Sequence, residues 1–419
     1  MILKKLAFED LEEFLLYEAS SDNPLEIHLR HSNISEQGVQ KLSSALGKFT
    51  NLQALNINLR ANILGDLGTS VLCQGLANCT HITMLELDLE FNQIGNQGAA
   101  ALGSILASCL SLQTLNLDLS SNLISVFGLE ALGSAFAAII NLSTLILRFR
   151  NNLICADGAC ALGSGLTSCK NLQILKLDLQ SNQISSKGAQ ALGSSLATFN
   201  NLSNLILNLE DNQINSQGAL DLCQALVNSR NLIILSLFLG KNEIGDEGIS
   251  SLAIPFAKFS ILSTLKLCFL SSSLSSQGIL AFGSVFVSPA NLIDLNLSFF
   301  NNQIDGMGAS ALGLALAKFS NLSTLTLDLR YNQIGGQGIS DLCSALASCF
   351  NLLNLILDLD DNQIGTQGAL ALTFALRKIP NLQVLTLSIN YNQIENESRS
   401  LIAYRILKMK RLVMKQIYL

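Results

Sequence analysis

The chain has 419 residues, 49% of them hydrophobic and only 13% charged, with a formal net charge of −6 and a mean hydropathy of +0.40. So much apolar material excludes a disordered chain, and the acidic balance gives no reason to expect a nucleic acid partner. The leucines are interleaved with Asp, Asn, Lys and Arg, and no run reaches the ~18 apolar residues that a spanning helix needs.

Residues 1–20 read MILKKLAFEDLEEFLLYEAS. Leu6, Phe8, Leu11, Phe14, Leu15 and Tyr17 recur at roughly helical spacing among acidic residues, which predicts an N-terminal helical cap over the edge of the first repeat. Lys4, Lys5, Glu9, Asp10, Glu12 and Glu13 break the uninterrupted apolar stretch that a secretory signal requires. Residues 21–50 then open a pattern in degenerate form. Leu25, Ile27 and Leu29 alternate as in a strand, Ile34 and Gly38 mark a turn, Leu42 and Leu46 a helix, and Ser32 stands where later units carry Asn.

From residue 51 the pattern repeats every thirty residues without insertion or deletion, with Leu at 55, 85, 115 and so on to 385. In the unit 321–350, Leu325, Leu327 and Leu329 alternate with Thr326, Asp328 and Arg330, the period-2 mark of a strand buried on one face. Asn332 and Ile334 follow, then Gly338, after which Ile339, Leu342 and Leu346 recur at helical spacing. Each helix must return the chain so that the next strand begins beside the last, which predicts parallel strands joined by right-handed crossovers. No unit can bury both faces alone, so neighbours must stack.

The run LxLxLxxNxI followed by GxxxLxxxL resembles the ribonuclease-inhibitor-like class of leucine-rich repeats, over about residues 21–410 and thirteen units. The resemblance implies an α/β solenoid, a horseshoe with a parallel sheet on the concave face and helices on the convex face. Strands ~4.8 Å apart against helices roughly 8–10 Å apart predict the same curvature. A chain of this length ordinarily suggests more than one domain, but a solenoid grows in one dimension. We therefore read one solenoid domain: a cap over 1–20, repeats over 21–410 and a basic segment over 411–419.

Two columns serve the frame. Asn62, Asn92, Asn122 and their equivalents are placed to bond buried backbone groups of the turn. Gly68 to Gly368 recur at the helix entry, where either a positive φ or a close backbone approach requires them. They form neither GxGxxG nor GxxxxGK[ST], so no phosphate loop is indicated. The unit 261–290 loses the Asn to Ser271-Ser272-Ser273 and gains Pro289, which predicts a softened or bent place. After Glu397 there are six Lys or Arg and no acid, so the tail carries +6 and the chain through Glu397 carries −12. That asymmetry fits a capping helix with Leu412, Val413 and Ile417 over the last repeat, or a contact for an acidic partner or membrane surface.

Ten cysteines occupy mainly two repeat positions, alternating with Gly or Ala in one and with Phe or Ile in the other, so Cys here packs as a small hydrophobe. There is no CxxC pair, and we expect no metal and no cofactor. Free thiols, together with sequons at Asn141 and Asn321 that lie at the packed repeat start, predict a reducing, cytoplasmic setting. His28, His31 and His81 lack an evident carboxylate or thiol partner, so no catalytic constellation is expected.

Function must then lie on the outward side of the strands. Glu86, Asp88, Glu90 and Asp118, then Arg148, Arg150, Lys176 and Asp178, make it polar early, and Asp328, Arg330, Asp358, Asp360 and Asp361 do so late. Between these sectors Phe238, Leu270 and Phe300, with Cys268, stand where other units carry polar groups. Strand spacing makes them contiguous. We expect Phe238, Leu270 and Phe300 to anchor a protein partner on the concave face and Asp328 and Asp358 to select a basic surface. That describes a non-enzymatic scaffold, as arrays of this class usually are, in a cytoplasmic, ciliary or cytoskeleton-associated assembly. The alternative is a GTPase activator resembling the Ran-activating proteins, whose acidic tail contrasts with the basic one here.

Overall fold

The computed structural model describes residues 6–17, 24–287, 289 and 291–419, so the readings made on residues 1–5, 18–23, 288 and 290 lie outside the described residues. The described chain divides into two compact units, Met1–Asn212 and Gln213–Leu419.

In the first unit, β1 (Leu6–Phe8) and β2 (Leu25–His28) begin a parallel sheet that runs in chain order to β8 (Asn204–Asn208). In the second unit the strands are β9 (Ile234–Phe238), β10 (Thr264–Cys268), β11 (Asp294–Ser298), β12 (Thr324–Asp328), β13 (Asn354–Asp358), β14 (Val384–Ser388) and β15 (Met414–Tyr418), again parallel and in order. A helix follows every strand from β2 to β14, and each helix contacts its neighbours within its unit. This is the expected leucine-rich repeat α/β layering, with strands in one layer and helices in the other.

The register follows from the period. Leu265, Leu295, Leu325, Leu355 and Leu385 are aligned on neighbouring strands and fully buried, because a thirty-residue unit brings the same residue to the same rung. Slipping by one residue would turn every leucine to solvent.

The Asn column ties rung to rung. Asn92 Oδ1 accepts from the backbone N–H of Asn62 (3.1 Å) and Leu64 (3.2 Å), while its Nδ2 donates to Leu59 O (2.9 Å). A second column at the repeat start does likewise, with Asn141 Nδ2 donating to Leu110 O (3.0 Å) and Asn171 Nδ2 to Ile140 O (2.9 Å). Of the two explanations for the glycines at the helix entry, close approach holds: a Cβ on Gly338 would run into Gly306 Cα. Positive φ falls instead on the residue before the Asn column, at Phe91 (57°), Ser121 (54°) and Tyr331 (54°).

Three expectations are corrected. The helical cap over 1–20 is a strand, β1, followed by the six-residue α1 (Leu11–Leu16), because Leu6 and Phe8 alternate and Asp10 stops the strand by capping the helix through Glu13 N. Phe8, Phe14, Tyr17 and Phe49 pack ring against ring beneath it. The C-terminal basic segment contains β15 as a strand beside β14, with Leu412 buried but Val413 84% exposed. The unit 261–290 keeps the same five-residue strand and register. Its helix, α10 (Ser276–Val285), is one residue or more shorter than those from Glu36 to Leu407. The core is filled with rings: Phe282 stacks on Phe286 at 4.3 Å, Phe269 on Phe299 at 6.0 Å, and Phe286 lies 5.1 Å from Phe319. The place expected to be soft is closely packed.

Candidate functional site

The expected anchors lie on the outward face of the sheet in the second unit. Phe238 closes β9, and Cys268 is its partner on β10. The ladder continues past the strands, since Lys241 N donates to Leu270 O (2.7 Å) and Ser271 N to Phe300 O (2.9 Å). Leu270 and Phe300 therefore sit side by side, and Leu270 leans into the space that a side chain at Gly240 would fill. All three anchors are half-buried rather than open, and Cys268 is buried.

Cations cover the two rings. The Lys266 ammonium lies 4.8 Å from the Phe238 ring centre, and the Arg330 guanidinium 4.9 Å from that of Phe300. A guanidinium held against a ring face is attracted by the ring quadrupole and also covers it. Tyr331, half exposed, meets Phe300 edge to face at 5.2 Å.

Asp328 and Asp358 are brought together by the same arginine. Arg330 donates to both oxygens of Asp328, Nε and Nη2 each at 2.9 Å, and its Nε lies 3.2 Å from Asp358 Oδ2. The hydrogen bond to Asp328 raises the Arg330 pKa further. Burial holds the Asp358 carboxyl above the ordinary carboxylate range; Arg330 opposes this, and Asp360 and Asp328 add to it. Asp358 Oδ1 is buried without a hydrogen-bond partner. Asp360 is occupied by Ser388 Oγ (2.7 Å) and Asn390 N (2.6 Å). Three carboxylates thus surround one guanidinium, and the sector keeps its negative sign.

Periodicity alone did not single out Lys266, Tyr331 and Ile356, nor connect Arg330 to the anchors. Ile356, 40% exposed, stands in an outward column that in the second unit otherwise holds Ser236, Lys266, Asn296, Thr326 and Thr386, while Ile146 and Ile206 take the same position in the first unit.

In the first unit the outward face carries the expected polar groups, with Met84, Ile146, Ile174 and Ile206 standing among them. Asn56 Nδ2 donates to Glu86 (2.8 Å), Arg60 pairs with Glu90, and Arg148 donates to Asn116 (2.7 Å) beside Asp118. Oxygens of Asp88, Glu90 and Asp118 come within 4.8 Å of one another. Burial raises the pKa of Asp88 and Glu90, with Asp118 adding to it. His28 lies 3.4 Å from Glu26, and His81 meets Thr50 O at 3.2 Å. Eight cysteines are buried, Cys155 is half-buried and Cys160 exposed, all as free thiols.

The family model described as Leucine Rich repeat matches residues 80–103, 170–193, 230–253, 321–343 and 355–372. Each match spans the same strand, turn and helix start.

The chain is a leucine-rich repeat protein.

Among solved structures it is similar to an internalin, inlF, of Listeria monocytogenes, at 18% identity over 91% of this chain and 88% of that one, with a TM-score of 0.49. It is also similar to a chain of the yeast Rad7 and Elc1 complex, at 18% identity over 87% and 86%, with a TM-score of 0.48. No curated protein matches. In a leucine-rich repeat protein the inward Leu, Asn and Gly columns are owed to the frame, which leaves the outward departures at Phe238, Leu270 and Phe300 as side chains that need a separate reason.

Proposed function

We propose that this leucine-rich repeat chain is a non-enzymatic interaction scaffold of the ribonuclease-inhibitor-like kind, working in a cytoplasmic, ciliary or cytoskeletal assembly. It holds a protein partner on the outward sheet face of its second unit. Phe238, Leu270 and Phe300 are the anchors, and Asp328 and Asp358 favour a basic partner surface. The observation that carries this is the row of three large apolar side chains at positions where the repeat otherwise places polar groups, two of them, Phe238 and Phe300, covered by cations that a partner can displace or share. Interfaces concentrate their energy in such central apolar and aromatic anchors with charge around them.

The test begins with partners captured from cytosol by the full chain, followed by the triple change Phe238→Ser, Leu270→Ser, Phe300→Ser. Affinity should fall by at least about 2 kcal/mol while the unfolding midpoint stays near that of the parent. Unchanged affinity for a verified partner would sink the assignment. A GTP hydrolysis assay against small GTPases separates the scaffold from the activator reading, since a scaffold leaves their rates unaltered.

A further inference from the structure

The last complete helix, α14 (Asn396–Leu407), is apolar on two sides. Ile402 and Ile406 face inward and are buried. Outward stand Leu401, Tyr404 and Leu407, which are 42%, 57% and 57% exposed. Helices of the first unit place Ala101, Ser104 and Ala107, or Ala131, Ser134 and Ala137, at the same positions. On the neighbouring α13 (Gly365–Lys378), Phe374 takes the position equivalent to Tyr404 and is 55% exposed. The Arg405 guanidinium lies 4.7 Å from the centre of its ring, which joins the two helices into one face.

At Tyr404 and Phe374 exposure comes from direction: Ser104, Ser134, Ser164 and Ser194 occupy their position between flanking repeats, and all are exposed, whereas Ala101 and Ala131, which match Leu401, are half-buried there. A helix with apolar residues on both sides is stable when both are covered, and the inner core covers only one.

The charge beside the C-terminal ends of these two helices is positive, while Glu397 stands exposed in the first turn of α14. Arg377 and Lys378 close α13, Arg405 lies in α14, and Lys408 and Lys410 follow it. None of these five forms an ion pair among the described residues, whereas Lys41, Arg60, Arg148, Lys187 and Arg330 all do. Other tail cations are used within the fold. Arg411 donates to Leu376 O (2.6 Å) and Arg377 O (2.8 Å), capping α13, Lys415 donates to Leu407 O (2.9 Å), and Arg399 reaches Leu419 O (2.9 Å).

We propose that the outward side of α13 and α14 docks on an anionic phospholipid surface. Leu401, Tyr404, Leu407 and Phe374 enter the interfacial layer, and Arg377, Lys378, Lys408 and Lys410 hold the headgroup phosphates. The apolar side chains project from a helix crest, so they need a partner that deforms around them, and a bilayer interface does so while accepting tyrosine at the headgroup level. Unpaired cations beside them supply the second of the two signals that stable peripheral binding requires. An acidic protein would satisfy the cations but would need a matching hollow for the crest.

The full chain should sediment with phosphatidylcholine vesicles containing about 30% phosphatidylserine and not with pure phosphatidylcholine vesicles, and should be released as salt rises to about 0.5 M. Reversal of Arg377, Lys378, Lys408 and Lys410 to Glu should weaken binding at least about fivefold per cation. The change Leu401→Ser, Tyr404→Ser, Leu407→Ser should weaken it at unchanged charge. Both variants alter exposed side chains, and their unfolding midpoints are checked against the parent. Equal sedimentation on both vesicle types, or full binding by both folded variants, overturns the proposal. So does saturable binding of poly-glutamate by a chain that ignores the anionic vesicles, which would identify an acidic protein partner instead.

Discussion

At the scale of single residues, the most consequential side chain in each repeat is the buried asparagine. Asn92 is fully buried, and it satisfies two N–H groups of the preceding rung and the carbonyl of Leu59 at once. Replacing it with Ala leaves the two N–H groups without a partner in a place that water does not reach, at about 1–3 kcal/mol each, while Leu59 O keeps the amide of Asn62 (2.9 Å). Asn92→Ala should therefore cost at least about 2 kcal/mol in urea unfolding, and a loss below about 1 kcal/mol would show that the column is dispensable. Ser272 marks where the chain itself lacks the amide: its hydroxyl donates to Leu270 O at 3.3 Å, and its N–H to Asn302 Oδ1 at 3.1 Å. The purpose of the Asn column was legible in the sequence because a repeated residue at a repeated place serves the repeat. The joint hold of Arg330 on Asp328, Asp358 and Phe300 was not, since it joins residues thirty apart through a long side chain whose rotamer no periodicity fixes.

At the scale of elements, the shortened α10 shows how packing replaces regularity. Losing part of a helix at Phe286 removes backbone hydrogen bonds, and the rings of Phe282, Phe286, Phe299 and Phe319 fill the space that the turn vacates. Phe286 is fully buried, so Phe286→Ala should cost about 3–5 kcal/mol by lost burial and cavity formation. Phe286→Leu, the residue most other repeats carry here, should cost much less. Similar losses for both would show that ring contacts rather than volume matter. The terminal elements teach the same point from the other side. Leu6 and Phe8 fit a helix or a strand by spacing alone, and the free edge of β2 selects the strand. The basic tail looked like a surface for partners, yet Arg411 and Lys415 are spent on helix-end carbonyls, the group that a helix leaves unpaired and a cation suits.

At the scale of the whole molecule, the buried thiols make stability sensitive to alkali. Burial pushes Cys73, Cys223 and Cys343 up from 9.0 to about 12, and Cys79, Cys169 and Cys349 to about 11. Above pH 9 the unfolded chain gives up these protons while the folded chain keeps them, so the unfolded state binds fewer protons and stability falls as pH rises. The contribution is complete below about pH 9 and is lost between there and the raised values, at up to about 1.4 kcal/mol per pH unit for each thiol. Urea midpoints under reducing conditions should be flat from about pH 7 to 8.5 and drop steeply by about pH 10. Midpoints that stay level to pH 10 would mean that the thiols ionise as readily folded as unfolded.

The sequence by itself determined the repeat, the parallel order of the strands and the identity of the core. A thirty-residue period with leucines in alternation leaves only one register in which every apolar row is buried. It also marked Phe238, Leu270 and Phe300, because a departure from a repeat is visible against the repeat. Only the tertiary structure decided that Phe238 lies under Lys266 and Phe300 under Arg330, that close approach rather than positive φ requires the glycine column, and that the tail cations divide between helix caps and a surface without ion pairs among the described residues. Those outcomes depend on contacts between neighbouring rungs, where side-chain reach and the space left by adjacent backbones settle the arrangement.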